Sequence, residues 1–292
     1  MLNFIVTSVF IVVIAVTFTL SGLAVRPSTT AQKQITPTRA KHPFEPAEQL
    51  FYEAEFSRSI FRKLDVADFK FSVGRTLLTV PSTTVGDSKS EAPYSLVFNA
   101  EVKSKGFFTR LFNLNFHELV ESVVEPDSFT MQRTKIHDEQ GKRVRTTEAV
   151  FDRSKGKMSW TQRDPNNPSR EPRHIVTDFS GQLQDVLSAI YFIRTQPLEV
   201  GKSFEVFIGD GGRVYRTPVK VTEKKRMKTI LGRVEVVKID PELFGPDRLI
   251  DNEKGQFSLW VTNDHRRIPV SAKIKTDYGT FDIKLKRIIS PG

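Results

Sequence analysis

The side chains that could do acid–base or metal chemistry in this sequence are five histidines and a scatter of carboxylates. The tightest group is His117-Glu118-Leu119-Val120-Glu121, half of an H-E-x-x-H zinc pattern with Glu where the second His should stand. It lies in a run (Phe116, Glu118, Val120, Ser122, Val124) that alternates as a strand does. On a strand, positions 117 and 121 share a face but sit about 13 Å apart at ~3.3 Å per residue, too far to grip one ion unaided. No metal site is expected. No G-x-S-x-G elbow, P-loop or dinucleotide fingerprint occurs. Gly209-Asp210-Gly211-Gly212 reads as a hairpin turn, because no helical pattern follows it to cradle a phosphate. The absence of Cys excludes a thiolate nucleophile, thiolate metal ligands and a disulfide scaffold. No carboxylate spacing singles out a general acid–base pair. Neither catalytic residues nor a cofactor are expected. An enzyme acting on an envelope glycan or lipid would need the fold to gather carboxylates, or a His–carboxylate pair, inside a cleft.

Binding is the better-supported class. Of 292 residues, 38% are hydrophobic and 27% charged, which excludes wholesale disorder. Phe outnumbers Trp and Tyr by 23 to 2 and 5, a bias toward rings with no polar handle. The formal net charge of +10 suits an anionic lipid surface or an acidic glycan. Nucleic acid is not expected, since export argues against it and no stacking-aromatic motif is present. The basic run Glu223-Lys224-Lys225-Arg226-Met227-Lys228 reads as a solvated hairpin tip between strands.

Three segments follow from composition. Residues 1–25 carry no charge between Leu2 and Val25 and read as a signal peptide or signal anchor. Leu20-Ser21-Gly22-Leu23 resembles a lipobox with Leu23 in place of Cys, so no lipid anchor is expected. Residues 26–48, with Pro27, Pro37, Pro43 and Pro46, read as an extended linker. Residues 49–290 form one β-rich domain. The expected location is therefore exported, either periplasmic or tethered by an uncleaved N-terminal segment.

Within the domain the dominant period is two. Leu50, Tyr52, Ala54 and Phe56 alternate with Phe51, Glu53 and Glu55, and Ile268, Val270, Ala272 and Ile274 repeat the pattern. Such alternation marks antiparallel strands with one covered face. The phase slips between Leu64–Val66 and Phe69–Val73, which a bulge explains. Turn signals at Asp138–Gly141, Gly209–Gly212, Asn263-Asp264 and Asp277–Gly279 separate about a dozen candidate strands. One helix interrupts them: Leu183, Val186, Leu187, Ile190 and Ile193 form an apolar stripe, Ser180 or Asp185 can cap it, and Pro197 stops it. The fold class is mainly β, a large curved antiparallel sheet (half-barrel, barrel-like or sandwich) with one amphipathic helix. That helix is too short to cover so wide a sheet, so the sheet must close on itself, pair with another, or keep a cavity for something apolar.

The helix also carries a resemblance. Asp185-Val-Leu-Ser-Ala-Ile-Tyr-Phe-Ile-Arg194 followed by Leu198-Glu-Val-Gly201, and later Trp260-Val-Thr-Asn-Asp264-His-Arg-Arg267-Ile-Pro269, resemble the two signatures of a bacterial exported family, domain of unknown function 3108. The resemblance covers roughly residues 44–289 and implies an exported, β-rich protein with no settled activity. Within these segments, Tyr191, Arg194, Trp260, Asp264 and Arg267 are the candidate ligand-binding residues. The arginines would hold an anionic headgroup at the mouth of an apolar cavity. The structural alternative is that Asp264 shapes a turn and Arg267 pairs with a neighbouring carboxylate. The expected function is binding of a hydrophobic or amphiphilic, lipid-like ligand in the curved sheet. The alternative is a scaffolding module in envelope assembly with a protein partner.

Overall fold

The computed structural model describes residues 42–59, 61–77, 94–105, 115–251 and 254–290. The expected signal segment, and the linker up to residue 41, lie outside them. Among these residues fifteen strands form one sheet, in the spatial order β8 (Arg173–Asp178), β7 (Lys157–Arg163), β6 (Arg143–Asp152), β5 (Thr130–Gln140), β4 (Phe116–Glu125), β3 (Tyr94–Ser104), β2 (Phe61–Leu77), β1 (Gln49–Arg58), β15 (Gly279–Ile289), β14 (Pro269–Thr276), β13 (Gly255–Thr262), β12 (Gly232–Pro241), β11 (Arg213–Thr229), β10 (Ser203–Asp210) and β9 (Leu183–Gln184). Every neighbouring pair is antiparallel except β9 (Leu183–Gln184), which runs parallel to β10 (Ser203–Asp210). The first strand, β1 (Gln49–Arg58), and the last, β15 (Gly279–Ile289), pair with each other in the middle of the sheet. The free edges therefore fall in mid-sequence, at β8 (Arg173–Asp178) and at β9, and only residues 179–182 separate those two strands.

Alternation sets the faces, as the sequence pattern requires. Leu50, Tyr52, Ala54 and Phe56 of β1 are all buried. The phase slip in β2 (Phe61–Leu77) is a bulge: Ala54 faces Ala67 while Glu55 faces Asp65, leaving Val66 as the extra residue, and Val66 and Ala67 are both fully buried. The expected turns at Gly141, Gly211-Gly212 and Gly279 close the hairpins β5–β6, β10–β11 and β14–β15.

The helix α1 (Val186–Thr195) is a plug rather than a lid. No residue of it is exposed. Ala189 and Ile193 belong to one apolar cluster, with β1, β2 and the strands from β10 to β15. Leu187 and Tyr191 belong to another, with β3 to β7. The wide apolar face thus wraps around a helix that contacts it on both flanks. Residues 42–48, read from sequence as the end of the linker, are part of this body: Phe44 is buried against Phe98, Phe129 and Tyr191. The basic run 223–228 is strand, inside β11 (Arg213–Thr229), and the hairpin tip lies beyond it at Ile230-Leu231. Among the described residues no helix is long and apolar enough to cross a membrane.

The β10–β11 hairpin bridges the sheet's two edges. Thr177 on β8 donates its hydroxyl to the Gly212 carbonyl at 2.6 Å, and Ile175 packs on the Gly212 Cα. Gly212 has φ +77°, and an added Cβ would lie 2.8 Å from Cβ of Ile175. Gly212→Ala is expected to cost about 2 kcal/mol in urea unfolding from backbone strain and this clash. By contrast Gly141→Ala, where φ is +59° but an added Cβ meets nothing, should cost only the strain.

Candidate ligand-binding site

Two buried ionic groups fasten α1, one at each end. At the N-terminus Asp185 is the cap. Its Oδ1 accepts from the Ser188 amide at 2.6 Å, and Ser188 Oγ accepts from the Asp185 amide at 3.0 Å, closing a capping box. Its Oδ2 accepts from the hydroxyls of Ser122 on β4 (Phe116–Glu125) and Thr134 on β5 (Thr130–Gln140). At the C-terminus Arg194 is fully buried and forked onto Glu48, with Nη1 2.6 Å from Oε1 and Nη2 3.0 Å from Oε2. Nη2 also donates to the carbonyls of Arg266 at 2.9 Å and Pro43 at 3.2 Å. Acid at the helix N-terminus and base at the C-terminus both match the helix dipole.

Along α1 runs an apolar cavity of ≈ 110 Å³. Leu50, Phe69, Val206, Ile208, Leu259 and Ile283 are among the side chains that line it from the sheet, with Ala189, Ile190, Tyr191, Ile193 and Arg194 from the helix. Tyr191 is stacked on Phe98 at 4.0 Å. Its hydroxyl, and the Nε of Arg194, are buried and have no hydrogen-bond partner among the described residues. Burial pushes the Tyr191 phenol well above its ordinary range, so it is a neutral donor.

A second, open cleft of ≈ 840 Å³ lies beyond the C-terminal end of α1, with His42, Asp127, Arg194, Asp264, His265 and Arg267 in its wall. Arg194 lines both spaces and stands between them. Asp264 shapes the β13–β14 turn by accepting from the amides of Arg266 and Arg267, both at 3.1 Å. Arg267 pairs with no carboxylate among the described residues. Its guanidinium donates to the last helix carbonyls, those of Arg194 (2.9 Å) and Gln196, and burial lowers its pKa. The structure therefore brings Tyr191 and Arg194 to the inner cavity, and Arg194, Asp264 and Arg267 to the outer cleft. Trp260 is set apart. It points away from the face where Leu259 lines the cavity, with Lys225 and Lys238 over its ring at 5.4 and 5.9 Å. The fork of Arg194 is occupied by Glu48, so only its Nε remains to meet a ligand.

Sequence reasoning missed the carboxylates inside the body. Asp210, read as part of a turn, is buried and borders a ≈ 30 Å³ void next to Asp185. Burial, and then the Asp185 charge, push it up to about 7, although the Gly211 amide hydrogen bond opposes them. Glu118 is raised by burial and by the carboxylates of Asp138 and Asp210, and its Oε1 has no partner among the described residues. Asp138 is raised by burial against the pull of Arg143, 2.9 Å away. The inward period of β4 and β5 placed Glu118 and Asp138 on the covered face, which was the available signal. Nothing in the chain spacing showed Asp210 beside Asp185. Among the described residues no group of three or more His, Asp or Glu is arranged to hold a metal ion.

Comparison with known proteins adds family and fold. The family described as "Protein of unknown function (DUF3108)" matches residues 59–286. A solved β-barrel-like protein of domain-of-unknown-function family DUF1849 from Brucella abortus is similar in fold. The two align over 84% of this chain and 98% of that one, at a TM-score of 0.51 and 10% identity. No curated protein matches the chain.

The buried Arg194–Glu48 pair and the buried Asp210 carboxyl give opposite stability outcomes. Arg194→Met strands the buried Glu48 charge and is expected to cost ~3–5 kcal/mol in denaturant unfolding. Adding Glu48→Leu should recover most of that loss, and a double variant as unstable as the single one would contradict the pairing. Asp210 has a folded pKa raised from 3.8 to about 7. The folded protein therefore holds a proton that the unfolded chain releases, and stability falls as pH rises between those values and is flat above. Asp210→Asn should remove that slope and be the more stable form at pH 8, by at most roughly 4 kcal/mol.

Proposed function

Because the chain belongs to the DUF3108 family, for which no activity guides the reading, we propose its function from the cavity itself. The protein is a non-catalytic binder of one slim amphiphile, an alkyl chain or small ring ending in a hydrogen-bond acceptor, held along the buried flank of α1. One observation carries this: Tyr191 Oη and Arg194 Nε, on residues one helical turn apart that line the same apolar cavity, are buried donors with no partner among the described residues. A buried unsatisfied donor costs ~1–3 kcal/mol, so the pair favours occupancy by an acceptor such as a carbonyl or carboxylate oxygen. Apolar walls with a few convergent polar groups are what small-molecule sites have in common.

The volume limits the ligand. The ≈ 110 Å³ cavity is somewhat smaller than an engineered cavity of about 150 Å³ that takes benzene. It is far below the ~300–1,000 Å³ of pockets for drug-sized molecules. A two-chain lipid would enter only if α1 moved, and α1 is fastened at both ends. The reading keeps the protein in the cell envelope, where residues 1–25 would deliver it and where amphiphiles are abundant.

That α1 fills most of the lumen favours a second reading, a scaffold in which the helix is permanent packing and an envelope protein is the partner. An enzyme acting on a glycan or lipid has less support. Asp185 and Asp210 border a void of ≈ 30 Å³, the size of a few waters at most.

Native mass spectrometry of the purified protein, with calorimetric titration of butanoate as a probe short enough for the cavity, separates the readings. Binding predicts a bound small-molecule mass or saturable one-to-one probe binding, weakened about fivefold by Tyr191→Phe, the loss of roughly one hydrogen bond. A clean apo mass with no probe binding assigns the protein to scaffolding, with the two donors met by water.

A further inference from the structure

We propose that the far end of the β11–β12 hairpin docks the protein on an anionic lipid bilayer. This surface is separate from the cavity and does not rest on the amphiphile reading. β11 outruns its neighbours: β10 pairs with it only over Arg213–Lys220, and β13 pairs with β12 (Gly232–Pro241) only over Val236–Ile239. The remaining pairs, from Arg226↔Glu235 to Thr229↔Gly232, form a two-stranded ribbon.

The ribbon has two unlike faces. Met227, Leu231 and Val234 pack partly buried against the core. The opposite face carries Lys224, Arg226, Lys228 and Arg233, all exposed. Glu235 takes Lys224 at 2.9 Å. No carboxylate among the described residues forms an ion pair with Arg226, Lys228 or Arg233. The register also sets Lys228 directly opposite Arg233. Like charges facing each other across a ladder destabilise it, so this face favours an external anion. At the apex Ile230 is 46% exposed. A single exposed Ile means nothing by itself. Beside three unpaired cations it is an apolar tip that can enter a headgroup layer while the cations meet lipid phosphates. The tip offers no aromatic ring on which a nucleic-acid base could stack.

Each Lys or Arg near an anionic leaflet contributes about 1 kcal/mol, within a Debye length. The test is co-sedimentation of the full chain with phosphatidylcholine vesicles, with and without phosphatidylglycerol. The measured quantity is the gain in partitioning caused by the anionic lipid, to which the uncharged residues 2–25 contribute equally in both vesicles. The wild type should show a gain that falls steeply with salt. The triple variant Arg226→Ser/Lys228→Ser/Arg233→Ser should lose at least tenfold of it while keeping the wild-type thermal transition, and Ile230→Ser should lose part. Removing three exposed cations elsewhere (Lys155→Ser/Arg170→Ser/Lys202→Ser) should leave the gain within about threefold of the wild type, which retains the cationic hairpin. No gain in the wild type, an unchanged gain in the hairpin triple, or an equal loss in the distant triple would each overturn the proposal.

Discussion

An apolar sheet face this wide has to be filled from within, and one ten-residue helix does the filling. The rest of the interior is arranged around that requirement. α1 is too short to be held by propensity alone, since isolated helices of this length are marginal in water. Its position comes from apolar burial on both flanks and from charged fastenings at the ends. Asp185 ties the first turn to β4 and β5. Arg194 ties the last turn to Glu48, Pro43 and Arg266. Each charge also sits at the end of the dipole that favours it.

Three arginines show how position decides what one side chain does. Arg194 is buried and bound by a fork to Glu48, and it acts as a structural pin that retains one spare donor toward the cavity. Arg267 reaches the helix C-terminus and satisfies carbonyls that the helix itself leaves open. Arg226 faces solvent on a ribbon, opposite a Glu235 that is ion-paired with Lys224. A headgroup site built from Arg194 and Arg267 would have to break bonds that hold the helix. The free cations are on the surface, and the free donors inside are single N–H and O–H groups.

The interior also carries polarity that packing does not need. Two donors at the C-terminal half of α1 lack partners, and carboxylates near its N-terminus are driven toward neutrality by burial and by one another. Each is a free-energy cost that a purely apolar filling would avoid. The donors adjoin the apolar cavity, whereas Asp210 adjoins a void too small for more than water. That difference is why the C-terminal half of α1, and not the acid cluster, is the candidate site.

Much of the fold was legible because period-two alternation and turn residues are local signals. The strands, the Val66 bulge, the turns at Gly141 and Gly212, the Asp185 cap and the family segments around α1 all follow from neighbouring residues. The excess of apolar strand face over helix was legible too, with closure, a second sheet or a cavity as the ways to cover that face. What covers it was not, because the sequence reports that a surface is apolar but not which surface meets it. The helix stripe read as one covered side, yet curvature buries all of them. Glu48 read as linker, and its role comes from Arg194, 146 residues away. Asp210 read as a turn until the β10–β11 hairpin was folded back against Asp185. The sequence alone determined a β-rich body with one interior-seeking helix. Tertiary structure decided which charges were used up, which donors stayed free and how much space remained, since contacts across long loops depend on how the sheet closes.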